Sequence, residues 1–222
     1  MRKPIPIPGA SSLSSLALLV LLGIATAIPA RAQGVPLESA QVEAWALAQR
    51  TSQRAHLWRV SAWGLANAVG GLALWAGTRN GSEVWRGYGL QSSLWGVINL
   101  GIGTAGLLGG SYPDPADLGA VLAAERSYHD IVLLNMGLNV GYMAVGTALV
   151  AAAHYGVRNA STWRGHGAAV IVQGVGLFVL DGVTLLRSRG RLGDMLDALT
   201  SVAIQASPVA PDVWTVGVAL TF

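Results

Sequence analysis

YHDIVLLNMGLNVGYMAVGTALVAAA, residues 128–153, decides the fold class. From Ile131 onward it contains no Asp, Glu, Lys or Arg. It is also long enough for one helix to cross a bilayer core, which takes about 20 apolar residues. Asn135 and Asn139 sit one turn apart inside it. An amide in hydrocarbon is costly unless it is hydrogen-bonded, so these side chains are expected to turn toward other helices. Working outward, three comparable segments occupy residues 56–78, 88–110 and 166–187. Asn67 and Asn99 fall near the middle of the first two, and Gln173 lies in the last. The reading is an all-α integral membrane protein whose residues 56–187 form a four-helix transmembrane bundle.

The composition agrees. The chain is 52% hydrophobic and 11% charged, against roughly 25% charged in ordinary soluble domains. Four apolar helices in succession leave too little polar surface to face water. The lipid bilayer is therefore the expected partner, with other membrane subunits or a homo-oligomer beside it. The formal charge of +3 does not signal nucleic-acid binding, because Arg2, Lys3 and Arg31 all lie in the first 32 residues. The fourteen basic residues less these three equal the eleven acidic ones, and no concentrated basic face remains. Zero cysteines exclude disulfides, thiolate metal sites and cysteine nucleophiles.

Residues 1–32 read as a secretory signal: a basic start, an apolar run and the small-x-small site Ala30-Arg31-Ala32. Residues 33–55 alternate apolar and polar positions at helical spacing and read as an amphipathic lead-in. Residues 188–222 read as an amphipathic surface helix followed by a C-terminal β-hairpin packed at the membrane surface. The hairpin rests on period-two alternation around Trp214, Val216 and Val218 after the turn at 208–212. The final Phe222 also resembles the terminal signal of outer-membrane barrel proteins. Two strands cannot close a barrel, however, and an open sheet edge cannot sit in lipid. The expected location is thus the bacterial inner membrane, multi-pass with both termini outside the cytoplasm, and the outer membrane is the lesser alternative. Basic residues are divided between the two sets of loops, so the signal sequence carries the orientation.

The first two apolar segments repeat a motif. Trp63-Gly64-Leu65-Ala66-Asn67 recurs as Trp95-Gly96-Val97-Ile98-Asn99. Gly137-x-x-x-Gly141 and Gly106-x-x-x-Gly110 are small-x-x-x-small faces that permit close helix approach.

Candidate site residues follow from burial cost. Asn67, Asn99, Asn135, Asn139 and Gln173 form either a structural polar core or a ligand path. Asp181, within Phe178-Val179-Leu180-Asp181-Gly182, is a carboxylate inside an apolar run and so a functional candidate. Arg59, His56 and His129 are its candidate partners. No nucleophile elbow, zinc-protease motif or phosphate loop occurs, so no catalytic residue, metal site or cofactor is expected. A b-haem between histidines is the weakest of the alternatives.

The two Trp-Gly motifs, Asn135-Met136-Gly137-Leu138-Asn139-Val140-Gly141-Tyr142, and Gln173-Gly174 with Asp181 resemble an uncharacterised bacterial family of small multi-pass membrane proteins. The resemblance covers residues 50–187 and implies the four-helix layout and no chemistry. The function expected from these readings is a non-enzymatic structural or complex-forming subunit. A small transporter or channel built on Asp181 and the asparagines is the alternative.

Overall fold

The computed structural model describes residues 39–210 and 213–218, with side chains for 39–200. The expected signal at 1–32 lies outside the described residues. Four helices come first: α1 Ser39–Gly77, α2 Glu83–Gly109, α3 Leu118–Ala152 and α4 Ala160–Ala203. Two short strands follow, β1 Ile204–Ala210 and β2 Val213–Val218, paired antiparallel.

Local chemistry sets the helix boundaries. The stretch 110–117 contains Pro113 and Pro115, which stop helical hydrogen bonding. The Asp117 carboxylate then accepts from the Ala120 backbone N–H at 3.0 Å and caps α3. Between α3 and α4 the turn uses Gly156 and Asn159 at φ 81° and 62°, the left-handed region these two residues tolerate best.

The helical body, residues 37–200, is one compact unit; the strand pair falls in a second unit. This corrects the expected fold. The body is all-α, with four helices and no strand in it, and the two short strands belong to the other unit. The amphipathic lead-in continues into the first helix, and the expected surface helix continues the fourth. No breaker interrupts the chain near residues 55 or 188, and α1 and α4 run through both. At 39 and 44 residues they are about 58 and 66 Å long, against a hydrocarbon core of about 30 Å.

A further correction concerns the spans. Among the described residues, two helices are long and apolar enough to cross a membrane: Leu118–Ala152 and Ala160–Thr200. The expectation of four spanning helices fails on α1 and α2. Glycine, serine, tryptophan and asparagine dilute their hydropathy, and some of these residues, Gly64, Gly71, Gly89, Gly96 and Gly103 among them, pack in the seam between the two helices.

That seam is built on glycines. Gly64 of α1 lies against the backbone of Gly96, and Gly71 against that of Gly89. A Cβ at any of the four would collide with backbone atoms of the facing helix. The repeated Trp-Gly motifs therefore set their own glycines opposite one another across an antiparallel pair. By contrast Gly137 and Gly141 of α3 face open space, so that small-residue face is not used inside the body.

The helices alternate in direction, up-down-up-down. α4 reaches all three others: α1 through Trp63 and Gln173, α2 through Gly87 and Thr162, and α3 through Asn139 and Asp181. α2 and α3 meet through the Trp95 and Tyr142 rings, 4.8 Å apart. Their backbones otherwise stay apart.

The interior changes character along the bundle. At one end Val42, Trp45, Val121 and Met195 form a conventional buried apolar core. Further along, Asn99, Asn139, Gln173, Asp181, Thr184 and Ser188 are buried, while Val69, Val97, Leu134, Val145, Val179 and Leu186 point outward. This is the reverse of the usual arrangement in a water-soluble domain.

Candidate functional site: a polar file inside the bundle

α4 supplies the axis of the site. Gln173, Leu177, Asp181, Thr184, Ser188, Arg191 and Met195 recur every three or four residues, which places them on one face of a helix. Five of the seven are polar, and each of those five finds a partner on another helix.

The central group joins three helices. The Asp181 carboxylate is 3.1 Å from His56 Nε2 of α1 through Oδ1. Its Oδ2 accepts from Asn139 Nδ2 of α3 at 2.6 Å. His56 Nδ1 lies 2.9 Å from the Thr184 hydroxyl. That hydroxyl donates to its own helix at Leu180 O, 2.9 Å away, so it is the imidazole Nδ1–H that donates to Thr184 Oγ1. Both ring nitrogens of His56 are thus engaged, Nδ1 by Thr184 and Nε2 by the Asp181 carboxylate. His56 is 5% exposed and Asp181 4%. A charge this deep requires such closure.

Deeper still, the Gln173 carbonyl accepts from Trp63 Nε1 at 2.9 Å and from Asn99 Nδ2 at 3.3 Å. This amide ties α1, α2 and α4 together. Gln173 Nε2 is buried without a hydrogen-bond partner.

Toward the apolar end, Glu125 of α3 is fully buried. Its Oε1 accepts from Ser188 Oγ at 2.6 Å and from Arg191 Nη2 at 2.8 Å, and its Oε2 from Arg191 Nε at 3.1 Å. The two-pronged guanidinium contact fixes the register of α3 on α4. At the opposite end His166 Nδ1 sits 2.9 Å from Gln91 Oε1.

A cavity of about 260 Å³ opens beside the central group. All four helices line it, with His56, Asn99, Tyr128, Asn135, Asn139 and Asp181 among apolar neighbours that include Leu57, Val132 and Leu177. Among the described residues no three His, Asp or Glu side chains converge in a way that could hold a metal ion.

The asparagines expected to meet at one level separate into different roles. Asn99 and Asn139 are buried and bridge helices. Asn67 donates to its own backbone at Trp63 O, 2.8 Å, and Asn135 lines the cavity half-buried. Of the three candidate partners, Asp181 takes His56. The ion pairs among the described residues are His56–Asp181 and Arg191–Glu125, so Arg59 is not the cation. His129 is half-buried and its Nδ1 has no partner.

Sequence reading missed Glu125, Ser188, Arg191, Thr184, Trp63 and Tyr128. A signal for Glu125 existed: Val121, Glu125, Tyr128 and Val132 are spaced four, three and four, the period of a buried helix face.

These features define a helical bundle with an apolar exterior and a hydrogen-bonded polar interior, two of whose helices could cross a membrane. The chain belongs to a family of unknown function, DUF6992, which matches residues 59–182. The match contains Asn99, Glu125, Asn139, Gln173 and Asp181, whereas His56, Thr184, Ser188 and Arg191 lie beyond it. No curated protein and no solved structure matches the chain.

Proposed function

We propose that this is a non-enzymatic multi-pass membrane protein, a structural or complex-forming subunit with α3 and α4 as its spanning helices. The observation that carries the reading is the inverted interior. Polar side chains are buried and paired between helices while large apolar side chains cover the outside, the distribution expected where the surroundings are lipid. The inner membrane of a bacterium, with both termini outside the cytoplasm, is the location that fits the signal-like leader. A transport role on Asp181 has less support, because that carboxylate is closed off by His56 and Asn139.

Two measurements test the proposal. The protein should remain in the membrane pellet after alkaline carbonate washing, and release into the supernatant would refute membrane insertion. Extracted in a mild detergent, it should migrate on native gels well above the size of its own micelle-bound monomer. A monomer throughout would refute the complex-forming role.

A further inference from the structure

From Gly165 to Leu186, α4 carries no Asp, Glu, Lys or Arg except the buried Asp181, and α3 carries none from Ile131 to its end. At 1.5 Å per residue both stretches are about 33 Å long, close to a hydrocarbon core of about 30 Å. Leu134, Val145, Val179 and Leu186 are exposed along them. Past Asp130 and Arg187, inside and outside exchange character. There Val42, Trp45, Val121 and Met195 are buried, while Glu43, Arg50, Asp194 and Asp197 are exposed, as in a protein surrounded by water.

Four exposed arginines gather at the changeover: Arg54, Arg126, Arg187 and Arg189. Arg54 lies two residues before His56, which contacts Thr184. Arg126 follows Glu125, which accepts from Ser188 and Arg191. These contacts bring Arg54 of α1 and Arg126 of α3 level with the 184–191 stretch of α4, about 10 Å of helix. Arg126 and Arg187 line separate surface grooves, so the charge is spread around the bundle. None of the four is in an ion pair, since those among the described residues are His56–Asp181 and Arg191–Glu125. The exposed carboxylates closest to them along α3 and α4 are Asp130 and Asp194, and the belt stays net positive. No basic run marks it in the sequence, because three helices supply it.

We infer that this arginine belt binds the headgroups of anionic phospholipids and sets the depth of the bundle in the bilayer, an inference that rests on the membrane reading above. The belt borders an apolar surface of bilayer thickness, so its guanidiniums lie in the plane of the lipid phosphates. Guanidinium offers phosphate two parallel N–H donors, and its long stem reaches the headgroups across apolar surface. Trp58, 62% exposed and two residues from His56, stands at the same level, where interfacial tryptophans collect. A nucleic acid or an acidic protein fits less well, because the charge is divided among helices and adjoins apolar surface on one side.

The chain has no cysteine, so Leu186→Cys gives the full chain a single site for a fluorophore beside Arg187. In nanodiscs of phosphatidylcholine with a minor share of phosphatidylglycerol, either lipid is brominated at the same chain position and in the same amount. Brominated phosphatidylglycerol should quench the label about threefold more than brominated phosphatidylcholine, because surface arginines enrich anionic lipid around them. Changing all four arginines to Gln should make the two lipids equal without altering the thermal midpoint, whereas changing all four to Lys should keep most of the difference. Salt at 1 M should equalise the lipids in the parent too, since it screens charges beyond about 3 Å. Equal quenching in the parent at low salt, a difference that survives the Gln changes, or one lost as fully with Lys would overturn the inference. So would no quenching by either lipid, and if the protein still resisted carbonate extraction, the membrane reading would stand without the belt.

Discussion

Asp181 shows how a single residue's role depends on which neighbours the fold brings to it. The pair it makes with His56 is buried at both ends, so removing one member leaves the other without compensation. Asp181→Leu should lower stability in detergent by about 3–5 kcal/mol, while the double change with His56→Leu should recover most of that loss, because an apolar pair of similar volume no longer requires desolvating a charge. Thermal unfolding of both variants is the check, and a double variant as unstable as the single one would mean that Asn139 and Thr184 hold the site without the pair. The same logic applies to Glu125, whose partners are Ser188 and Arg191. Glu125→Ala should destabilise by a similar amount, whereas Arg59→Gln, which breaks neither ion pair, should stay within about 0.5 kcal/mol of the parent.

Among the elements, the two kinds of glycine in the helices predict opposite outcomes. Gly96 has backbone atoms of Gly64 and Ala68 where a side chain would begin, so Gly96→Val should separate α1 from α2 and abolish accumulation of folded protein. Gly137 and Gly141 have open space instead. Replacing either with alanine should raise stability by about 0.5–1 kcal/mol, the gain expected from helix propensity alone. Thermal midpoints would decide, and a loss of stability at Gly137 would show that a second molecule packs on that face. The repeated Trp-Gly motif matters at this scale for the same reason: it pairs glycine with glycine across the seam.

Considered as a whole, the molecule has two interiors in continuous helices. One end is held by Val42, Trp45, Val121 and Met195, the other part by hydrogen bonds through Asp181 and Gln173. Cavity formation at the apolar end should be felt locally. Met195→Ala should cost about 2–5 kcal/mol, and hydrogen exchange should quicken at 39–50, 118–125 and 190–200 before it does at 130–150 or 165–180. Uniform acceleration along all four helices would instead mean that the bundle unfolds as one unit.

The sequence by itself determined that the chain is helical, that its helices carry apolar surfaces, and that amides and one carboxylate lie within them. Those properties follow from composition and spacing along a single helix, where 3.6-residue geometry is the only information needed. Partner choice does not. Whether Asp181 meets Arg59 or His56 depends on the rotation of α1 against α4, and the glycine seam with α2 and the Trp63–Gln173 bond fix that rotation. The same register buried Glu125 against Ser188 and Arg191 of α4. It also kept the α2 and α3 backbones apart.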